Sequence, residues 1–263
     1  MRVRHLAFLS ISVIAGLAAS LGTACSSSST PGTTPDDAGA ADTGTTDVGQ
    51  PAANEAKQTG RVIGALDRLE IPDVTVTIDG KSAKTKGDGT YEIIVPKNKP
   101  YTMSVSGEGF YKLNEQEWIL KKDSLARGDT SLLSVDTANL LASFLPGRDK
   151  AKGLLVVKVQ PIAPCDDEGG STLTIEPAGD SKIVYFAGGR PNADAKSAEK
   201  GASFSAAVYN VETGVNIKVN VVSPKCQVVP YPIDQSEVTY TGNQKTEPGD
   251  VLSYVRAFIG PLK

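Results

Sequence analysis

Ile71-Pro72-Asp73-Val74-Thr75-Val76-Thr77-Ile78-Asp79-Gly80 alternates apolar and polar residues between two turn-forming ends. Side chains two apart share one face of a strand, so Val74, Val76 and Ile78 offer a single apolar wall to a core. Two further runs repeat the pattern: Tyr91, Ile93 and Val95, then Tyr101, Met103 and Val105. Gly87-Asp88-Gly89 separates the first run from the second, and Pro96 to Pro100 separates the second from the third. Glycine at positive φ and proline at fixed φ permit tight reversals there. Gly60 to Phe110 is accordingly expected to be a β-meander.

The chain begins differently. Arg2 and Arg4 precede the mostly apolar run Leu6 to Leu21, and small residues follow up to Cys25, which is how a cleaved secretory signal over residues 1–24 reads. The apolar run is short for a bilayer span. Leu21-Gly22-Thr23-Ala24-Cys25 resembles a bacterial lipobox, with Gly22 where that pattern usually has leucine. The resemblance implies that Cys25 becomes the lipidated first residue of the mature protein, most simply at the outer membrane; cleavage near Ala24 to give a secreted protein is the alternative. From Ser26 to about Lys57 the chain is built mostly of Ser, Thr, Gly, Pro, Ala and Asp, a composition that cannot offset its ordering entropy. Residues 25–57 are therefore expected to form a disordered tether, which as a flexible coil would span roughly 30 Å.

Composition narrows the function. The only histidine is His5, inside the signal-like segment, so the exported chain has no imidazole for a Ser-His-Asp or Cys-His arrangement or for catalytic zinc. The 27 basic residues less Arg2 and Arg4, against 30 acidic ones, give the chain from Cys25 a net charge of −5, which with the compartment speaks against nucleic acid. Beyond Cys25 only Cys165 and Cys226 remain, and an oxidising compartment lets such a pair link. One disulfide between them is expected, closing a loop of about 60 residues for on the order of 4 kcal/mol in the chain-entropy description.

A leading Gly60-Arg61-Val62 strand, Pro72-Asp73-Val74-Thr75-Val76, the Thr85 to Tyr91 turn with Asp88-Gly89, and the closing Val105-Ser106-Gly107-Glu108-Gly109-Phe110 together resemble the carboxypeptidase regulatory-like family. The resemblance covers roughly Gly60 to Leu120. It implies an immunoglobulin-like, transthyretin-related β-sandwich acting as a non-catalytic module in an exported bacterial protein. Trp118, the only tryptophan, is expected to cover one end of its core, with a sugar-stacking platform as the sharper reading. Asp73, Asp79 and Asp88 do not follow a calcium-loop spacing and read as turn residues.

Glu115 to Leu120 is expected to add an edge strand. Asp136 then reads as the N-cap of a short helix with Leu140, Leu141, Phe144 and Leu145 as its stripe, stopped by Pro146-Gly147. A second β-rich block follows: Leu154 to Val159, Ser171 to Ile175, Ile183 to Phe186, Phe204 to Val208, Val215 to Val221, Val238 to Thr241 and Val251 to Ile259. Ala187 to Gly201 reads as an exposed loop, and Asp166-Asp167-Glu168 as a solvated acidic one. Phe204-x-Ala206-x-Val208 and the strand from Val215 are similar to the end of the same type of sandwich.

The expected architecture is all-β: two immunoglobulin-like or transthyretin-like sandwiches in tandem, over residues 58–120 and 153–263, with residues 121–152 as a connector carrying the helix. No catalytic residue, metal ligand or cofactor is assigned, and no ligand-binding residue either. The expected role is a cell-envelope lipoprotein held to the membrane through its lipid, meeting an envelope protein or a glycan. A carbohydrate-binding module is the alternative, for which Tyr111, Trp118 and Tyr231 are the aromatic candidates. Loops around Asp67 to Glu70 and Gly107 to Asn114 are where function in the first module is sought.

Overall fold

The computed structural model describes residues 50–235 and 237–262. The signal-like segment, the lipobox with Cys25 and most of the expected tether lie outside them.

The first ten elements in chain order are β1 (Glu55–Gly64), β2 (Thr75–Ile78), β3 (Lys81–Lys84), β4 (Thr90–Pro96), β5 (Pro100–Tyr101), β6 (Met103–Ser106), β7 (Lys112–Glu115), β8 (Trp118–Leu120), β9 (Ser124–Leu132) and helix α1 (Val135–Ala142). Then come β10 (Gly153–Pro161), β11 (Thr172–Glu176), β12 (Lys182–Ala187), β13 (Arg190–Asn192), β14 (Ala206–Val211), β15 (Lys218–Val222), β16 (Cys226–Val228), β17 (Ile233–Asp234), β18 (Val238–Tyr240) and β19 (Val251–Leu262). The fold is thus dominated by strands, as expected.

All the alternating residues named from Val74 to Val105 lie in one buried core, so strand periodicity located the first wall correctly. Their pairing is not a meander. β2 pairs with β6, whereas β4 crosses over to pair with β1 in a second sheet, ordered β4-β1-β9. Periodicity reports which face a residue takes and is silent about which strand lies alongside, and here the two sheets must face each other to enclose the alternating residues. Asp88 makes the expected turn: its Oδ1 accepts from the Thr90 amide and hydroxyl, and Gly89 takes φ 72°. Across β1 and β4, Gly60 stands opposite Tyr91, and a Cβ on Gly60 would lie 2.7 Å from the Tyr91 hydroxyl, so the glycine makes room for the ring.

Folding also begins earlier than the composition implied. β1 starts at Glu55, Ala56 is in the core, and Gln58 is fully buried between Tyr91, Tyr101 and Met103. The expected connector contributes β9, which runs parallel to β1. The helix is capped by Ser134, whose hydroxyl accepts from the Thr137 amide, with Asp136 inside the first turn. Leu140 is exposed, and Ala138 and Leu145 are the residues that pack inward.

The largest sheet runs β13-β12-β14-β10-β19-β7-β6-β2-β3, with β16 also on β19. Its hinge point is β19, parallel to β10 on one side and to β7 on the other. The hydrogen-bonded ladder therefore passes without a break from strands of the first expected module to strands of the second. β18, expected to close the second sandwich, instead pairs with β8 in the sheet β17-β18-β8-β5, so β8 is an interior strand and not an edge. β10 is buried on both faces: Leu154 and Val156 join the first core, while Leu155, Val157 and Val159 join a second core with Leu173, Ile175, Val219, Val221, Val255 and Ala257. A continuous apolar run is what a strand covered on both faces requires, here one parallel to β19 and antiparallel to β14. Cys165 and Cys226 are linked, with Cα atoms 6.1 Å apart, and close one end of the second core.

Candidate functional site

Several residues singled out in the sequence turn out to serve the framework. Tyr111 and Trp118 are buried, and the Tyr231 hydroxyl donates to the Arg256 carbonyl, so these three do not form an exposed aromatic row. Trp118 packs edge-on against Tyr101 and Tyr240, with ring centroids 5.9 and 6.2 Å away. Around Asp67 to Glu70, Arg61 bonds Asp129 and Glu70, and Arg68 bonds Asp129. Beyond Gly107, Lys112 and Asn114 both donate to Glu247, and Tyr111 donates to Asn139. Asp73 and Asp79 sit at positive-φ turn positions. Among the described residues, no three His, Cys, Asp or Glu side chains are grouped to hold a metal ion.

The acidic run departs from the solvated loop expected of it. Asp166 is exposed, but Asp167 and Glu168 are buried. Asp167 pairs with Lys225 and Lys200 and accepts from the Gly169 amide; Glu168 pairs with Lys158 at 2.8 Å and accepts from the Gly201 amide. The Lys225 hydrogen bond holds the Asp167 carboxyl below its ordinary range. Burial is the largest single influence on Glu168 and works against its ionisation, yet the Lys158 hydrogen bond and charge together with backbone hydrogen bonds, including that from Gly201, outweigh it and that carboxyl too is lowered. With the adjacent disulfide, these pairs brace the loop.

One cleft, of about 280 Å³, collects charged and aromatic groups. It opens between β9 and the β18–β8 pair, and Trp118, Arg127, Asp129, Gln235, Glu237 and Arg256 are among its lining residues. Arg127 comes from β9, within a bulge. The step from Thr59 to Arg61 on β1 is matched by the longer step from Ala126 to Asp129 on β9, so one residue is inserted and the alternation changes phase. Arg127, two residues after Leu125, shares its inward side, and the bulge lets Thr130 and Leu132 face inward as well; the Arg127 guanidinium lies 4.1 Å from the centre of the Trp118 ring and pairs with buried Glu115.

Arg256 arrives from β19, on the face that also carries Leu252 and Phe258, both in the first core. Pairing of β19 with β7 ends at Tyr254 and Glu115, which would leave the Arg256 backbone without partners on that edge. Two side chains fill the gap: Gln116 Oε1 accepts from the Arg256 amide, and the Tyr231 hydroxyl donates to its carbonyl. The Arg256 side chain donates to the Tyr240 hydroxyl at 2.6 Å and lies 5.5 Å from the Tyr254 ring. Burial lowers its pKa, but the fields of Tyr240, Tyr254 and Glu115 outweigh that and raise it, so the group stays a cation. Among the described residues it has no carboxylate ion pair, whereas Arg127 is matched by Glu115, Asp129 by Arg61 and Arg68, and Glu237 by Lys122. The cleft thus holds one half-buried positive charge in excess.

The sequence reading missed both arginines. A detectable signal for Arg256 was its place as the one charged residue in the otherwise apolar and polar-neutral run Val251-Leu252-Ser253-Tyr254-Val255-Arg256-Ala257-Phe258-Ile259. Arg127 was missed because residues 121–152 read as a connector, so its two-residue spacing from Leu125 was not taken as strand alternation.

No family model and no curated protein sequence matches the chain. Among solved structures it is similar to a streptococcal ancillary pilin, at 8% identity over 80% of this chain and 63% of that one with a TM-score of 0.25. It is also similar to the Bacillus anthracis TIE protein (13% identity, 78% of this chain and 34% of that one, TM-score 0.24) and to the shaft pilin SpaA of Lactobacillus rhamnosus GG (9% identity, 80% and 99%, TM-score 0.22). The chain spans less than two thirds of the length of the first two. Superpositions this loose carry nothing about its function.

Proposed function

We propose that this chain is a non-catalytic cell-envelope lipoprotein, anchored through Cys25 and presenting a β-sandwich body for binding or bracing outside the cytoplasm. The observation that carries the reading is the Cys165–Cys226 disulfide in a chain whose start resembles a lipoprotein signal, since such bonds persist where thiols are not kept reduced. The lack of histidine after His5 supports a non-catalytic role. Among the described residues no helix is long and apolar enough to cross a membrane, so in this reading the lipid supplies the attachment. The carboxypeptidase regulatory-like resemblance over Gly60 to Leu120 belongs to the same proposal. Cross-linking intact bacteria with a membrane-impermeant reagent tests it. The chain is expected to be captured with an envelope macromolecule; reactivity appearing only after lysis would refute the reading.

Carbohydrate binding is the second reading, favoured by the cleft. Its arginines, and not a row of stacked aromatics, are the groups a ligand would meet.

A further inference from the structure

We propose that the cleft between β9 and β18 binds a carboxylate-bearing sugar ring of an acidic glycan, with Arg256 taking the carboxylate. The proposal rests on the envelope reading above, which places the cleft within reach of surface glycans.

Three observations converge on that ligand. The first is charge. A guanidinium partly withdrawn from water and left without a carboxylate is costly, and a bound anion would offset the cost while using Arg256's planar fork. Gln116 and Tyr231 pin the Arg256 backbone, and the Tyr240 hydroxyl holds one guanidinium nitrogen at 2.6 Å, so the group is positioned before any ligand arrives. The second is size, since about 280 Å³ suits a single sugar unit and falls at the small end of ligand sites. The third is the remaining lining. Gln235, Glu237 and Asp129 supply amide and carboxylate groups suited to hydroxyls, beside the apolar edges of Trp118 and Val238. An aliphatic acid would leave those polar groups unused.

The molecule carries its own reporter, because its single tryptophan, Trp118, lines the cleft under Arg127. The full chain is titrated with glucuronate while tryptophan emission is followed, with glucose, acetate and inorganic phosphate as separate arms. Glucuronate is expected to produce a saturable change below about 10 mM, with glucose, acetate and phosphate inactive over the same range. Arg256→Gln is expected to weaken binding roughly thirtyfold or more. Gln235→Ala, whose side chain packs in neither core, is expected to weaken it several-fold and serves if the arginine variant does not fold. The proposal is overturned by no saturable change with glucuronate, by an equal response to glucose, by acetate or phosphate binding as well as the sugar acid, or by glucuronate affinity unchanged in both variants. Any of these leaves the envelope reading standing, since that is judged by cross-linking in cells.

Discussion

Gln58 makes the residue-scale case for reading partners along with patterns. It follows a Ser- and Ala-rich stretch and looks like its last polar member, yet its amide donates to the Tyr91 hydroxyl at 3.3 Å and accepts from the Tyr101 hydroxyl at 3.1 Å. Burial pushes the Tyr101 phenol up to about 12, so it remains a donor at any ordinary pH. Gln58→Leu leaves that donor without its acceptor and is expected to lower stability by about 1–3 kcal/mol in urea unfolding. Asp167 and Glu168 carry a pH prediction of definite sign. Both carboxyls are lowered in the folded state, so their contribution is complete above the unfolded values of 3.8 and 4.5 and is lost as pH falls through the still lower folded values. The melting temperature should hold from pH 7 to about 5 and fall below about 4.5, and Lys158→Met should reduce the Glu168 part of that fall. What the chain's text revealed at this scale was apolar periodicity; it did not reveal that a carboxylate or an amide would be enclosed, because that depends on residues 10 to 60 positions away, such as Lys158, Tyr101 and Lys225.

At the scale of elements, β2, β4 and β6 were legible because each buries one face, whereas exposed β3 and the neighbours of all of them were not. β4 leaves β2 for β1, and β18 leaves the second block for β8, since alternation is satisfied equally by any partner that covers the same face. The helix was found for a sound reason and capped at the wrong residue: Ser134 and Asp136 are both good N-cap types, and the extended backbone of Ser134, φ −60° and ψ 151°, decides it. Ser134→Ala is expected to lower stability by about 1 kcal/mol, while Asp136→Ala costs less, by thermal or denaturant melting. The disulfide followed from cysteine count and compartment alone. Replacing Cys165 and Cys226 together by alanine should lower stability by about 2–5 kcal/mol, which chemical denaturation reads directly.

At the scale of the whole molecule, the expected tandem of sandwiches meets a strand that the sequence reading assigned to one of them. β19 supplies Leu252 and Phe258 to the first core and Val255, Ala257 and Ile259 to the second, while pairing with β7 and β10. A strand shared in this way couples the two cores, so thermal unfolding should be a single transition by both circular dichroism and Trp118 fluorescence, not two separated ones. It also explains how the cleft arises: Arg256 belongs to the second block in sequence but lines the cleft with Trp118 of the first and Arg127 of the connector. The function proposed for this body depends on where it is held, and the decisive residue for that is Cys25. Metabolic labelling with radioactive palmitate in a bacterial host, followed by fractionation, tests it most directly. The full chain should take up label and sediment with membranes, and Cys25→Ser should be unlabelled and soluble; an unlabelled parent chain, or a variant that still sediments with membranes, would contradict the lipoprotein reading.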